Sequence, residues 1–188
     1  MTTVRLCAVC AAHAPAIEYY ASDPAVAATT SAIPHPYPAG GGDAFVKRAM
    51  AAWQAGTART FCILVDHLEA GVVGLSLTPS ARAAELGFWV AKPYWGRGIA
   101  TRAVDQLLAY GRHNLGLDAV WSSCLAENHA SRRVHEKCGF ALRGRYVISA
   151  AHSQRHAGRT ALRFCLPLTK AAQQSDDPSG SVRSELAA

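Results

Sequence analysis

The chain has 188 residues, of which 50% are hydrophobic, a formal net charge of +6 and a pI of about 9.2. This length suits one domain with a substantial core, and no apolar run reaches the roughly 18 residues of a membrane span. The N-terminus lacks a basic region followed by a long apolar stretch, so we expect no signal peptide and a cytoplasmic protein.

The basic residues are scattered, with their densest groups at residues 132–137 and 143–145. No recognition-helix or RNA-binding motif accompanies them. The charge therefore fits an anionic cofactor better than a nucleic acid, and we expect neither a nucleic-acid nor a membrane partner. A nucleic-acid binder is the alternative that the net charge alone supports.

Six cysteines are spread along the chain, most of them inside apolar stretches where a free cysteine behaves as a small hydrophobe. The spacing Cys7-x-x-Cys10-x-x-His13 resembles half of a zinc site. No second closely spaced pair accompanies it, so we expect no metal.

The N-terminal part alternates between short regular elements and a loop. Residues 4–9 predict a first strand, and residues 14–22 predict a short helix that ends at Asp23-Pro24. Prolines and glycines predict a loop over residues 31–42. Asp43 is the predicted N-cap of a helix that runs to Trp53.

Three strands follow in close succession, at residues 60–65, 72–77 and 83–90. The first two are predicted to be joined by a turn over residues 68–71, because Gly71 suits a turn. Consecutive strands with short links predict an antiparallel meander.

The third of these strands leads into Gly96 and Gly98, and a helical repeat then continues to residue 114. A helix that begins here has unpaired backbone N–H groups at the positive end of its dipole, which favours a bound phosphate. A plain glycine-rich connection before a core helix is the alternative. The predicted phosphate-binding set is Gly96, Arg97, Gly98, Ile99, Ala100, Thr101 and Arg102.

The helix is followed by a strand over residues 118–125, and a crossover of this length predicts that this strand runs parallel to strand 83–90. Asn128 is the predicted cap of a helix through Lys137, and two further strands are predicted at residues 140–149 and 160–166.

The chain divides into one predicted domain, residues 1–168, and a C-terminal tail, residues 169–188. The tail is rich in Gln, Ser, Asp, Gly and Ala and has almost no large apolar residue. We expect this tail to be flexible and to stay outside the core.

Two motifs in this order resemble the signatures of the GNAT superfamily of N-acetyltransferases. Trp95-Gly-Arg-Gly98-Ile-Ala100 is similar to its pyrophosphate loop, Gln/Arg-x-x-Gly-x-Gly/Ala, with tryptophan at the Gln/Arg position. The stretch from Asn128 through Ser131 to Gly139-Phe140 is similar to its second signature. Tyr94-Trp95-Gly96 resembles the ribosomal-protein alanine acetyltransferase branch, which is RimJ/RimL-like.

The resemblance covers residues 4–168 and implies an α/β GNAT fold, a mixed sheet of about seven strands with flanking helices and a splay between the fourth and fifth strands. It implies acetyl-coenzyme A as cofactor, with its pantetheine arm in the splay. The arm is expected to pair with the exposed backbone of Trp89, Val90 and Ala91, and the Asn128 side chain to hold it from the other side. Helix capping alone is the alternative for Asn128.

The function implied is transfer of an acetyl group to a primary amine by direct attack on the thioester. The branch resemblance suggests a protein N-terminal α-amine as acceptor. A small-molecule amine, such as an amino acid, polyamine or antibiotic, stays open, as does a CoA-binding module without catalysis. We expect a monomer or a homodimer.

Two residues are candidates for proton transfer. Glu85 lies in a strand similar to the one that carries the catalytic glutamate of histone-type members, and it is the predicted general base, acting through water. A structural glutamate is the alternative. His135 lies near a helical position where many members have a tyrosine that acts as an acid toward the thiolate. It is therefore the predicted proton donor to the thiolate. A helical histidine without catalytic role is the alternative, and Tyr146 is a weaker candidate acid.

Overall fold

The computed structural model describes residues 2–151 and 153–169, and in that part of the chain seven strands form one sheet. The strands are β1 (Val4–Ala8), β2 (Ala58–Val65), β3 (Leu68–Thr78), β4 (Ala83–Val90), β5 (Ala119–Leu125), β6 (Ala141–Val147) and β7 (Thr160–Pro167). The helices are α1 (Ala14–Ala21), α2 (Pro24–Ala28), α3 (Gly41–Gln54), α4 (Ile99–Asn114) and α5 (His129–Lys137).

The strand order is β1-β2-β3-β4-β5-β7-β6, and β4 and β5 are the parallel pair in an otherwise antiparallel sheet. Residues 83–86 of β4 pair with residues 119–122 of β5, and the pairing then stops although both strands continue. The mixed sheet, the parallel pair and the gap between the fourth and fifth strands confirm the predicted fold class.

The two faces of the sheet carry different helices. On one face, Leu86 and Val90 of β4 pack against Ile99 and Leu107 of α4 in the largest core cluster. On the other face, Trp89 packs with residues of α1, α2 and α3. Side chains of β4 therefore alternate between the α4 face and the α1–α3 face, as the pleat of a strand requires.

In the N-terminal part, α1 ends before Asp23-Pro24, but the sequence analysis missed the helix that follows. Asp23 Oδ1 accepts the Ala25 N–H at 2.8 Å, and Pro24 opens α2. Proline fits the first helical position, where its missing N–H costs nothing. The prediction of Asp43 as an N-cap was wrong, since α3 begins at Gly41 with Gly40 as its cap at φ 71°.

The turn between β2 and β3 is also placed differently from its prediction. It lies at Asp66 and His67, which adopt φ 48° and 72°, and residues 68–71 belong to β3. Gly71 serves close packing instead of a turn, because a Cβ there would collide with the backbone of Trp89. The turn residues are ones without the glycine signal that the prediction used.

The remaining predicted helices and strands agree with the structure to within a few residues at each end. The predicted C-terminal tail lies outside the described residues from residue 170 onward. Among the helices of the described ranges, none combines the length and the apolar character needed to cross a membrane.

Candidate active site

The loop after β4 holds two glycines in the left-handed conformation, Gly96 at φ 73° and Gly98 at φ 70°. Gly98 is the N-cap of α4 and has no side chain with which to satisfy the first-turn amides. A Cβ at either glycine would meet no atom within 4 Å. The loop is thus open on the side that a ligand would approach.

Six consecutive amides of this loop, at residues 96–101, donate to no acceptor within the described part of the chain. The amides on either side are bonded, since Trp95 N–H donates to Lys92 O at 3.1 Å and Arg102 N–H donates to Gly98 O at 3.2 Å. A run of free N–H groups at the start of a 16-residue helix is a favourable place for a diphosphate.

The two arginines of the predicted set differ in their contacts. The exposed Arg97 guanidinium lies 5.5 Å from the centre of the Tyr94 ring. Arg102 donates from Nη1 to Thr2 O at 2.7 Å and from Nη2 to Arg97 O at 3.4 Å. In this structure Arg102 therefore braces the loop against the N-terminus, and its contact with phosphate stays a prediction.

The gap between β4 and β5 exposes backbone from every second residue of β4. Ala91 N–H donates to Ala70 O at 2.7 Å, and Ala91 O accepts the Tyr94 N–H at 2.9 Å, so the prediction that Ala91 offers free backbone was wrong. In an antiparallel pair the backbone groups of successive residues face alternate sides. The N–H and C=O of Trp89 therefore also face β3, and the N–H and C=O of Phe88 and Val90 face the gap. Phe88 was missed because the register cannot be read from sequence.

Trp95 binds the carbonyl oxygen of Val90, which is one of the two backbone groups that Val90 directs into the gap. Its indole Nε1–H donates to Val90 O at 2.6 Å, which ties the glycine loop to the end of β4. The Val90 N–H then remains as the donor that faces the gap. Tryptophan at this motif position thus has a role in holding the backbone.

Asn128 performs the capping role. Its Oδ1 accepts the Ser131 N–H at 3.0 Å, and its Nδ2 donates to Thr29 O at 3.2 Å. It also lines a cavity of about 330 Å³ beside the end of β5, with Thr29, Leu125 and Arg159. A contact between Asn128 and the pantetheine arm stays a prediction, and it requires Nδ2 to leave Thr29.

Glu85 lies on the face of β4 that carries α1–α3. Its carboxylate is paired with Arg163, with Nη2–Oε2 at 3.2 Å and Nη1–Oε1 at 3.4 Å, and Arg163 stacks over Trp121. The side chain is 36% exposed. Burial raises the pKa of Glu85 above its ordinary value, and the Arg163 charge opposes this rise without cancelling it.

Glu85 is three residues from Phe88 along β4, about 10 Å at the rise of a strand. The role of Glu85 as a general base that acts through water stays a prediction.

His135 is fully buried in α5, with 0% of its surface exposed. Its Nδ1 lies 2.8 Å from Ser131 O, and its Nε2 lies 2.7 Å from Ser122 Oγ. The ring stacks on Phe164 at 4.5 Å, and burial lowers its pKa. His135 therefore makes its polar contact toward the gap through the Ser122 hydroxyl.

Two residues of the loop before β7 hold the end of α2 and the segment that follows it, and sequence reasoning missed both. Arg155 Nη2 lies 2.8 Å from each of the carbonyl oxygens of Ala27, Thr30 and Ile33. His156 Nε2 lies 2.9 Å from Thr30 O. Nothing in the local pattern signals contacts across 120 residues of chain.

Cys10 and His13, the last two residues of the zinc-like spacing, contact each other. Cys10 N–H donates to His13 Nδ1 at 3.1 Å, and Cys10 Sγ lies 3.5 Å from the same nitrogen. Among the described residues, no group of three His, Cys, Asp or Glu side chains is arranged to hold a metal ion.

Comparison with protein families gives a match to the acetyltransferase (GNAT) domain over residues 3–141. A putative ribosomal N-acetyltransferase, YdaF of Bacillus subtilis, is 36% identical over 84 residues, 44% of this chain and 46% of that protein. Spermidine N(1)-acetyltransferase of Escherichia coli is 28% identical over 109 residues, 57% of this chain and 58% of that protein. The chain spans about half the length of the curated relatives it matches.

Among solved structures, RimL, a ribosomal L7/L12 alpha-N-protein acetyltransferase in complex with coenzyme A, superposes with a TM-score of 0.78. The match covers 88% of this chain and 94% of that one at 18% identity, so it shows a shared fold.

Proposed function

The chain belongs to the acetyltransferase (GNAT) family, and we propose that it transfers an acetyl group from acetyl-coenzyme A to a primary amine by direct attack on the thioester. The observation that carries this proposal is the run of six acceptor-free amides at residues 96–101, placed next to an unpaired stretch of β4.

The residues present fit acetyl-coenzyme A. The free amides suit its diphosphate, with Arg97 close enough to add charge. The backbone groups of Phe88 that face the gap suit the amide groups of its pantetheine arm. When bound, the cofactor supplies an activated acyl thioester, and the chain's own groups do the remaining work.

Glu85 receives the amine proton through water, because an ammonium has no lone pair with which to attack. The Val90 N–H donates a hydrogen bond to the oxygen that becomes negative during the attack. The raised pKa of Glu85 brings it closer to that of an amine, which makes the carboxylate a better base than an ordinary one.

The predicted role of His135 as acid is retained in a modified form. A buried imidazole reaches the gap only through Ser122 Oγ, so any proton it supplies passes through that hydroxyl. Solvent is the competing source of the proton.

A protein N-terminal α-amine is the proposed acceptor. Glu85 on β4 and Glu127 after β5 are each paired with an arginine, Arg163 and Arg159 respectively. Paired carboxylates suit an acceptor with one positive charge better than a polyamine with several. The spermidine acetyltransferase among the relatives keeps the polyamine as the second candidate.

An acceptor screen read by mass spectrometry tests this proposal. Acetyl-CoA is offered with peptides that have free N-termini, N-terminally blocked lysine peptides, and small amines including spermidine. Preferred acetylation of peptide N-termini supports the proposal. A preference for spermidine would instead identify a polyamine as the acceptor. Binding of acetyl-CoA without turnover on any amine would instead favour a non-catalytic CoA-binding module. We also place the enzyme in the cytoplasm, where protein N-termini and acetyl-CoA meet.

A further inference from the structure

Ser122 and His135 meet at the point where β4 and β5 separate, which we term the fork. Leu86 and Ser122 are the last residues paired between the two strands. Ser122 Oγ lies 3.0 Å from Leu86 O across the fork and 2.7 Å from His135 Nε2 behind it. Ser122 is 1% exposed and His135 is 0% exposed, so no solvent competes for these contacts.

Counting protons shows that the three contacts cannot all be hydrogen bonds when His135 is neutral. Ser131 O and Leu86 O are carbonyl oxygens and only accept, so His135 Nδ1 must carry a proton to donate to Ser131 O. In the neutral ring Nε2 is then bare and accepts. The single Ser122 hydroxyl proton faces two acceptors, Nε2 and Leu86 O, and can serve one of them.

The charged ring resolves this conflict. With both nitrogens protonated, Nδ1–H donates to Ser131 O, Nε2–H donates to Ser122 Oγ, and the hydroxyl proton is left for Leu86 O. All three contacts are then hydrogen bonds. The hydroxyl therefore bonds across the fork in the charged form and turns back to the ring in the neutral form.

We propose that Ser122 and His135 form a protonation-dependent clasp at the fork: the charged imidazole commits the Ser122 hydroxyl to the Leu86 carbonyl, and the neutral imidazole withdraws it. His135 is a positioning residue in this account, because it acts on β4 through Ser122. Phe88, whose backbone points into the gap two residues beyond Leu86, also packs its ring against His135 at 5.7 Å.

The surroundings of His135 leave this clasp free of other charges. The ring faces Ser122 of β5, Ser131 of its own helix, Phe88 of β4, Phe140 after α5 and Phe164 of β7. None of these five side chains carries a charge, and no charged group contributes to the shift of the His135 pKa, which burial lowers. The clasp therefore engages as the pH falls below the ordinary range of histidine.

Cofactor affinity should follow the clasp, and this part rests on the proposed function. A hydrogen bond that orders the fork before binding reduces the ordering cost of binding. If the whole bond is expressed in affinity, acetyl-CoA binds about fivefold more tightly below the His135 midpoint than above it.

Nuclear magnetic resonance of the labelled full chain without cofactor tests the clasp itself. The ring nitrogens of His135 and the carbonyl carbon of Leu86 are followed downward from about pH 8, through and below the ordinary histidine pKa of about 6.5, until the protein unfolds. The expected result is the Nδ1–H tautomer of neutral His135 and a Leu86 carbonyl signal that moves with the same midpoint. Ser122→Ala should uncouple the two signals and lower the His135 midpoint. Ser123→Ala, next along β5, should keep them coupled.

A Leu86 signal that stays still while His135 titrates would overturn the clasp, as would an Nε2–H tautomer or a ring that stays neutral until the protein unfolds. Acetyl-CoA affinity is then measured over the same pH range in the wild type and in Ser122→Ala. The wild type should show the extra fivefold change. Absence of acetyl-CoA binding at every pH contradicts the proposed function, and coupled signals in the free protein would still support the clasp.

Discussion

The two halves of the candidate site differ in the groups that they offer to a ligand. The proposed cofactor half presents backbone groups that have no partner within the described chain, namely those of Phe88, the Val90 N–H and the amides of residues 96–101. The proposed acceptor half contains side chains that already have partners, including the Glu85–Arg163 and Glu127–Arg159 pairs and the contacts of Arg155 with backbone carbonyls. Unpaired backbone groups can bind a ligand of the right shape without breaking any existing contact. Paired side chains must either rearrange or bind a ligand that leaves the pairs intact.

The strongest test of this difference is to fill the cofactor half. Gly98→Glu places a charged side chain in the open space above the free amides and should weaken acetyl-CoA binding at least about 100-fold, because two or more charge-assisted hydrogen bonds are lost. Calorimetry measures the affinity.

Gly56→Glu is the matched control for this change. Gly56 has φ 73° and open space around its missing Cβ, like Gly98 at φ 70°, but it lies in the turn before β2. The backbone strain is therefore the same in the two variants. Equal affinity of both variants for acetyl-CoA would remove the amides of residues 96–101 from the site.

A second test removes the base from the acceptor half. Glu85→Gln should lower kcat about 100-fold near pH 6, the scale of a lost general base, and leave acetyl-CoA affinity unchanged. The carboxylate acts above its raised pKa and is lost as the pH falls through it. The deficit of the variant should shrink as the pH approaches about 8, where an α-amine loses its proton unaided.

Glu136→Gln breaks another arginine–glutamate pair, with Arg132 on the exposed surface of α5, and serves as the control. It should keep the wild-type profile. An unchanged rate for Glu85→Gln at every pH would leave Glu85 as a structural residue.

A third test loosens the acceptor half without touching the chemistry. Arg155→Ala releases the carbonyls of Ala27, Thr30 and Ile33 and should lower the free energy of unfolding by about 1–3 kcal/mol. It should also raise KM for the amine and leave acetyl-CoA affinity unchanged. Arg143→Ala, on exposed β6, is the comparison. A loss of cofactor affinity in Arg155→Ala would mean that the two halves are not separate.

The smallest expected effect concerns His156. Its Nε2 must donate to Thr30 O, and its Nδ1 accepts from Arg159 Nη1 at 2.6 Å, so the neutral ring satisfies both contacts. Burial first, then the two neighbouring arginines, lower its pKa. Its contribution to stability is complete above about pH 6.5 and is lost as the pH falls through the lowered pKa.

His156→Gln should therefore flatten part of the decline in the free energy of unfolding between about pH 7 and pH 5, as chemical denaturation can measure. A variant that declines as steeply as the wild type would assign the loss to other groups.

The same contrast explains how far sequence reasoning reached. The strand, glycine loop and helix around Gly98 were predictable because each depends on local backbone rules. The Arg155 contacts were not, since they join segments far apart in the chain. Ala91 was misjudged because strand register decides which residues face a gap, and a shift of one residue exchanges them. Gly71 looked like a turn residue, but it is needed for close approach to Trp89.

The central claim is that residues 96–101 bind the diphosphate of acetyl-CoA beside an open gap in the sheet. A crystal structure of the chain with acetyl-CoA tests it most directly. The account predicts diphosphate oxygens within hydrogen-bonding distance of several of these amides and the pantetheine arm against the backbone of Phe88 and Val90. A cofactor bound elsewhere, with these amides still free, would contradict it.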